Sequence, residues 1–216
     1  MATPVTAVVR GDDGVRRCWW GASTPDYAAY HDDEWGRPVT DDTRIFEKLC
    51  LEGFQSGLSW LTILRKREGF RAAFEGFDIP RVARFTERDV TRLLGDAAIV
   101  RHRGKIEATI ANARAAAGVQ DAHGSLAALF WSFEPNRRAA PRDLGDLTST
   151  TPESTALSKA LKGYGFRFVG PTTVYAAMQS LGLVNDHLAG CAVRGECREA
   201  RAVQQRPPQG WLPRRE

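Results

Sequence analysis

The chain has no apolar run approaching the roughly 18 residues that a membrane-spanning helix needs, so no transmembrane segment is expected in its 216 residues. Its opening, Met-Ala-Thr-Pro-Val-Thr-Ala-Val-Val-Arg, lacks the apolar core of a secretory signal, which makes the cytoplasm the expected compartment. Cysteine is limited to Cys18, Cys50, Cys191 and Cys197, and in a reducing compartment burial or metal binding suits these better than disulfides. Lysine is scarce too: Lys48, Lys66, Lys105, Lys159 and Lys162 are the whole set. Arginine therefore supplies nearly all the positive charge in a net balance of +4 and a pI near 9.0. That excess favours an anionic partner, and arginine is the better phosphate fork, although heavy arginine use also arises from codon bias. No internal repeat and no convincing apolar/polar alternation is visible, which leaves little room for strands.

What is present describes a folded helical protein. With 43% hydrophobic and 26% charged residues, the chain can bury a full core, and its length suits one large domain or two small lobes. Ile45, Phe46, Leu49 and Gly53 keep helical spacing, with Asp41 or Asp42 available as N-cap. Trp60, Leu61 and Leu64 continue after a break at Gly57, and Ile106, Ile110, Ala113 and Ala117 form an amphipathic stripe. Thr151-Pro152 caps and opens a further helix, with Leu157, Ala160 and Leu161 as its apolar face and Gly163 and Gly165 as its end. Pro171 opens a last helix through Tyr175, Met178 and Leu181, while residues 135–146, with Pro135 and Pro141, read as a loop. The predicted fold class is all-α with low strand content. Residues 1–16 read as a flexible N-terminal arm, 17–192 as the folded domain and 193–216 as a loose basic tail. In that tail six Arg face three Glu, and Pro207, Pro208 and Pro213 oppose regular structure.

Four stretches carry side chains suited to chemistry. Gly165 to Thr173 joins an apolar helix end to a proline-started helix. Such a hairpin turns backbone N–H groups outward at a helix N-terminus, which suits a phosphate, and Arg167 adds a cation. An ordinary helix–turn–helix connection fits the same spacing. Glu52 is a carboxylate among apolar residues; buried, it costs several kcal/mol unless it has a partner or a task, whereas a solvated helix edge would hold it freely. Trp19, Trp20, Tyr27, Tyr30 and Trp35 fall within seventeen residues, and Trp60 follows. Flat faces with polar edges suit a purine, although aromatic clusters more often fill cores. Finally, His187 and Cys191 stand one helical turn apart, and Cys18 and His31 lie near the start of the chain. Two Cys and two His make a closed tetrahedral zinc set; a buried cysteine beside an unrelated histidine is the plainer alternative. Cys50 reads as core, and Cys197 as a free thiol in the tail.

The motifs Tyr30–Gly36 (Tyr-His-Asp-Asp-Glu-Trp-Gly) and Cys50–Trp60 (Cys-Leu-Glu-Gly-Phe-Gln-Ser-Gly-Leu-Ser-Trp) are followed by Arg101–Ile106, Trp131–Phe133, Leu157–Lys162 and Gly165–Gly170. Gly182–His187, Gly190 and Cys191 close the series. In these motifs, over roughly residues 17–192, the chain resembles the type I 3-methyladenine DNA glycosylases. The resemblance implies a helix-hairpin-helix fold of two helical lobes with a cleft, and one structural Zn²⁺ tying the termini through Cys18, His31, His187 and Cys191. It implies a monofunctional, monomeric enzyme of base-excision repair. Such an enzyme flips N3-methyladenine out of alkylated double-stranded DNA and hydrolyses its glycosidic bond, with no lysine Schiff base and no strand cleavage. Carried over by position, Glu52 and Tyr30 hydrogen-bond the damaged base, Trp60 offers a stacking face, and Trp20, Tyr27 and Trp35 line the pocket. Arg167, Phe168, Val169, Gly170, Thr172 and Thr173 make the DNA-binding hairpin.

Four protein ligands leave a metal no open position, which disfavours a zinc hydrolase. A non-catalytic lesion binder would need neither Glu52 nor Tyr30, and a broader alkylpurine range stays open. Asp186 falls near where other hairpin glycosylases place a catalytic Asp, yet it adjoins His187 and could equally orient it. Gln55 and Ser59 are candidate supporting groups around the base-binding residues. Ala98 stands where the pattern has Gly, which puts the local turn geometry in question. Residues 1–16 and 193–216 have no counterpart in the pattern, and the basic tail could add weak, salt-sensitive DNA affinity.

Overall fold

Two three-residue strands, β1 (Val8–Arg10) and β2 (Arg16–Cys18), lead into α1 (Pro25–Asp33), α2 (Asp42–Gln55), α3 (Trp60–Ala73), α4 (Ile79–Ala83) and α5 (Glu87–Gly95). There follow α6 (Arg103–His123), α7 (Leu126–Trp131), α8 (Pro152–Gly163), α9 (Pro171–Ser180) and α10 (Arg194–Val203). The structure, a computed structural model, describes residues 7–136 and 139–207; residues 1–6 of the expected arm and 208–216 of the expected tail lie outside the described residues. The chain divides into two compact units. The first joins Met1–Pro38, Pro135–Ser149 and Met178–Gln205; the second joins Val39–Glu134, Thr150–Ala177 and Arg206–Glu216. The fold is predominantly helical, as predicted, and among the described residues no helix is long and apolar enough to cross a membrane.

In the second unit, cap chemistry sets the helix starts. Asp41 accepts from the Arg44 N–H at 2.9 Å and Ser59 from the Thr62 N–H at 3.2 Å. Asp42, the other candidate cap, instead accepts from the Leu126 and Ala127 N–H groups and so caps α7. Thr151 and Pro152 open α8 as predicted. Its end is a Schellman turn: Gly165, at φ +93°, donates to Lys162 O and Phe166 donates to Leu161 O. The core runs through α2, buried from Ile45 to Phe54, and continues through rings 4.6–6.2 Å apart at Phe54, Phe70, Phe74, Phe77 and Phe85. The α6 stripe is broader than Ile106, Ile110, Ala113 and Ala117 alone: Ala116 and Val119 are fully buried and Ala117 is half-buried. Ala98 causes no strain, because its φ is not positive and its N–H is held by Asp96 Oδ1 at 2.8 Å. The close approach is supplied by Gly69 on α3, where a Cβ would come within 2.7 Å of Ala98 O.

In the first unit β1 and β2 pair antiparallel, Val8 with Cys18 and Arg10 with Arg16. Two segments that read as loose are therefore partly regular. Residues 8–10 belong to this hairpin, and the tail carries α10, so the helix opened by Pro171 is not the last. Cys197 is fully buried in α10 rather than free in a tail. Neither segment announces itself by apolar periodicity: the strands are too short to alternate, and α10 buries one cysteine amid arginine and glutamate.

Candidate functional site

The first unit brings together the four residues expected to bind metal. Cys18 ends β2, His31 lies in the last turn of α1, and His187 and Cys191 follow α9. All four are buried, and their donor atoms lie within 4.8 Å of one another. His187 Nδ1 is 3.2 Å from His31 Nε2, 3.5 Å from Cys191 Sγ and 3.8 Å from Cys18 Sγ; Cys191 Sγ is 3.5 Å from His31 Nε2. Each imidazole is held through its outer nitrogen. His31 Nδ1 meets Asp32 Oδ1 at 2.7 Å, and His187 Nε2 donates to Trp35 O at 2.9 Å. The inner nitrogens are thereby left to face the thiols. Hydrogen bonding with Cys18 is the main pull lowering the Cys191 pKa, with His187 and His31 adding to it, while Cys18 is pushed up by its bond to Cys191 and by burial. Gly21 and Gly36 make room: a Cβ on Gly21 would come within 2.6 Å of the His31 ring, and one on Gly36, which sits at φ +81°, would come within 3.0 Å of His187 Nε2.

The aromatic residues of this unit pack on that cluster. Trp20 stands edge-on to Tyr27 at 5.5 Å, to His31 at 5.1 Å and to Trp35 at 5.1 Å, and is tilted to Tyr30 at 6.2 Å. Trp35 is edge-on to His187 at 4.6 Å. Tyr30 is buried, whereas Trp20, Tyr27 and Trp35 are half-buried and Trp19 is exposed. Asp186 accepts from Gln179 Nε2 at 2.9 Å.

Glu52 and Trp60 belong to the second unit. Glu52 is buried, not on a solvated edge, and burial pushes its pKa up to about 7 against the opposing pull of Lys48. Lys48, one helical turn earlier on α2 and also buried, holds its ammonium 5.0 Å over the Trp60 ring. The sequence reading missed Lys48, although its spacing of four from Glu52 within an apolar helix was the signal. Gln55 is half-buried and Ser59 caps α3. Lys105, likewise unassigned, is buried and donates to Phe54 O at 2.8 Å and Ser56 O at 2.6 Å, which neutralises the carbonyl end of α2.

The segment from Gly165 to Thr173 is a turn between α8 and α9. Asn112, buried in α6, grips it with both ends of its amide: Arg167 N donates to Oδ1 at 2.7 Å and Nδ2 donates to Arg167 O at 3.1 Å. Ser158 Oγ donates to Val169 O at 2.6 Å. Held this way, Phe168 adopts φ +56° and is 41% exposed as a residue; a non-glycine residue keeps that backbone conformation only when its surroundings impose it. Arg167 and Thr172 are exposed, Gly170 and Thr173 half-buried, and Val169 is core. Asn112→Ala is expected to cost about 1–3 kcal/mol in denaturant unfolding, because both Arg167 backbone groups lose their partner.

The family model for methyladenine glycosylases matches residues 19–194. The chain belongs to the methyladenine glycosylase family. Within this family it is 49% identical to DNA-3-methyladenine glycosylase 1 of Escherichia coli (strain K12) over 179 residues, 82% of this chain and 96% of that protein. It is 46% identical to the DNA-3-methyladenine glycosylase of Haemophilus influenzae, over 81% of this chain and 96% of that protein. A solved structure of 3-methyladenine DNA glycosylase I from Staphylococcus aureus, described for its recognition of 3-methyladenine, is 37% identical. It has a TM-score of 0.79 and covers 82% of this chain and 96% of its own. The family match begins one residue after Cys18 and ends where α10 starts.

Proposed function

We propose that this protein is a DNA-3-methyladenine glycosylase that flips N3-methyladenine out of alkylated double-stranded DNA and hydrolyses its bond to the sugar, leaving an abasic site and an uncut strand. The observation that carries the reading is Glu52: a buried carboxylate with a raised pKa, embedded in a family whose curated members bear that activity in their names. In the nucleotide, N3-methylation makes adenine cationic and weakens the C1′–N9 bond. When that bond breaks, the electron pair goes to N9 and the base leaves neutral. The sugar becomes oxocarbenium-like, and water adds at C1′ and gives its proton to solvent. No acid is needed for the leaving group, so catalysis reduces to extruding and holding the lesion.

Glu52 suits that task. Burial disfavours its charge, and a cationic base restores it, so binding strengthens for the methylated purine relative to neutral adenine. Tyr30 is assigned as the second group to hydrogen-bond the base, Trp60 as a stacking face, and Trp20, Tyr27 and Trp35 as pocket lining. The α8–turn–α9 segment is read as the helix-hairpin-helix, with Arg167, Phe168, Val169, Gly170, Thr172 and Thr173 toward the DNA backbone. Arg167→Ala should weaken binding to all duplexes alike and reduce the slope of log K against log salt by about 1, with no change in base preference. Titration of methylated and unmethylated duplexes at several salt concentrations measures this.

For the metal we assign one Zn²⁺ to Cys18, His31, His187 and Cys191. Tetrahedral zinc, at about 2.3 Å to sulfur and 2.0–2.1 Å to nitrogen, sets donor atoms about 3.3–3.8 Å apart. The four separations at 3.2–3.8 Å support that assignment. Bound there, zinc would serve as a structural cross-link, since four protein donors leave it no open position. The deciding experiment is chromatography of the bases released from methylated DNA, wild type beside a Glu52 variant. Release of 3-methyladenine by the wild type alone supports the assignment, equal release by both removes Glu52 from it, and 7-methylguanine among the products widens the substrate range.

A further inference from the structure

Two arginines at the edges of the family match support the two ligand histidines from outside the donor set, one through a carboxylate and one through the backbone. Arg17, just before the match, is buried although it is a cation. Its Nε and Nη2 donate to Asp32 at 2.6–3.0 Å, and its Nη1 and Nη2 donate to Asp13 at 2.8 and 2.7 Å. Asp32 in turn meets His31 Nδ1 at 2.7 Å. A fixed carboxylate therefore orients the His31 ring from behind.

Arg194, the last matched residue and the first of α10, acts on the backbone of the other histidine. Its Nη1 donates to His187 O and, at 2.9 Å, to Asn185 O. Asn185 Nδ2 returns a bond to Arg194 O at 3.1 Å. Two turns along the same face of the helix, Arg201 donates to Leu183 O at 2.7 Å, and Glu196 accepts from Arg37 at 2.8 Å. These bonds lock the backbone that carries His187, while Cys197 of α10 lies beside Trp35 O, the carbonyl that receives the His187 Nε2 proton.

We infer that Arg17 and Arg194 are positioning residues for metal retention: from outside the donor set they hold His31 and His187 in the ligating orientation and slow the loss of the ion. The inference rests on the zinc assignment above. Groups behind metal-bound histidines typically change metal affinity by roughly 10–100-fold when removed, and the effect here should be read in the dissociation rate.

The test is transfer of zinc from the purified holoprotein to a chromogenic chelator, with global unfolding followed by tryptophan fluorescence under the same conditions. Arg17→Ala and Arg194→Ala should release zinc about 10-fold or more faster than wild type, without a matching rise in the unfolding rate. Arg17→Lys, which keeps the charge but not the fork, should fall between. Arg198→Ala, on the same helix and exposed, should leave release unchanged. Release at the wild-type rate in both alanine variants overturns the inference and spares the zinc assignment. Release that tracks unfolding in every variant also overturns it, because the arginines would then merely stabilise the fold. A wild-type protein that carries no zinc overturns the assignment and the inference together. Should Arg17→Ala fail to fold, Arg194→Ala and Arg17→Lys carry the comparison.

Discussion

Glu52→Gln is expected to cut 3-methyladenine release by roughly 10²-fold, the scale of losing one preorganised electrostatic group, while making the folded protein more stable above pH 7. The two effects have opposite signs because they share one cause. In the folded state the Glu52 carboxyl ionises near pH 7, against 4.5 for the ordinary side chain. Below about pH 4.5 both states hold the proton and the residue is neutral to stability. Between 4.5 and 7 the folded state binds more protons than the unfolded one, so stability falls as pH rises. Above 7 the full cost of a buried charge is present, about 3 kcal/mol with the attraction of Lys48 included. Glutamine keeps the shape and removes the charge. Thermal melts of wild type and variant should coincide at pH 4 and separate by pH 8, the variant higher. If release is lost and the melts coincide at both pH values, the burial of charge is wrong though the catalytic assignment stands. If the variant melts lower at pH 8, Glu52 is a structural carboxylate.

Cys191→Ser should reduce the metal content from one zinc per chain to near zero and lower the melting temperature by on the order of 10 °C. The hydroxyl is a poor donor for zinc, and structural zinc sites in small domains contribute about 10 kcal/mol or more. The expected fall is smaller than that because the unit retains its own apolar contacts at Ala7, Leu188 and Val193. Elemental analysis and calorimetry check it. If the zinc is the structural cross-link proposed above, base release per folded molecule should stay close to wild type. A normal melt with no zinc in the wild type would remove the cross-link altogether.

Much of the fold was legible because caps and stripes are local. Asp41, Thr151-Pro152, and the Gly163–Gly165 stop each act within one turn of helix, and a reader of the chain meets all their atoms together. The four metal-type ligands were recognisable as residue types, but their convergence needed a family resemblance, because the early pair and the late pair lie 156 to 173 positions apart. Three features escaped. Lys48 was counted as an ordinary lysine, and burial of an ammonium over an indole leaves no trace in apolar periodicity. Asn112 sits on α6 among alanines, and its grip on Arg167 is a contact over 55 positions. The helix α10 is attached by arginine side chains reaching backbone carbonyls, so its sequence looks solvated throughout.

The ligand cluster also dictates an order of events during synthesis. Its first two donors emerge early, and their partners follow only after some 156 further positions. Contacts of such high order are slow to form, and a metal bound across so long a loop would remove the closure entropy of that loop, which grows only slowly with its length. Until His187 has left the ribosome, Cys18 and His31 have no complete donor set, and the hairpin β1–β2 and helix α1 lack the third segment of their unit. Translation products cut short of residue 187 should therefore expose Trp20, Trp35 and a reactive thiol at Cys18, the marks by which quality control reads an unfinished chain.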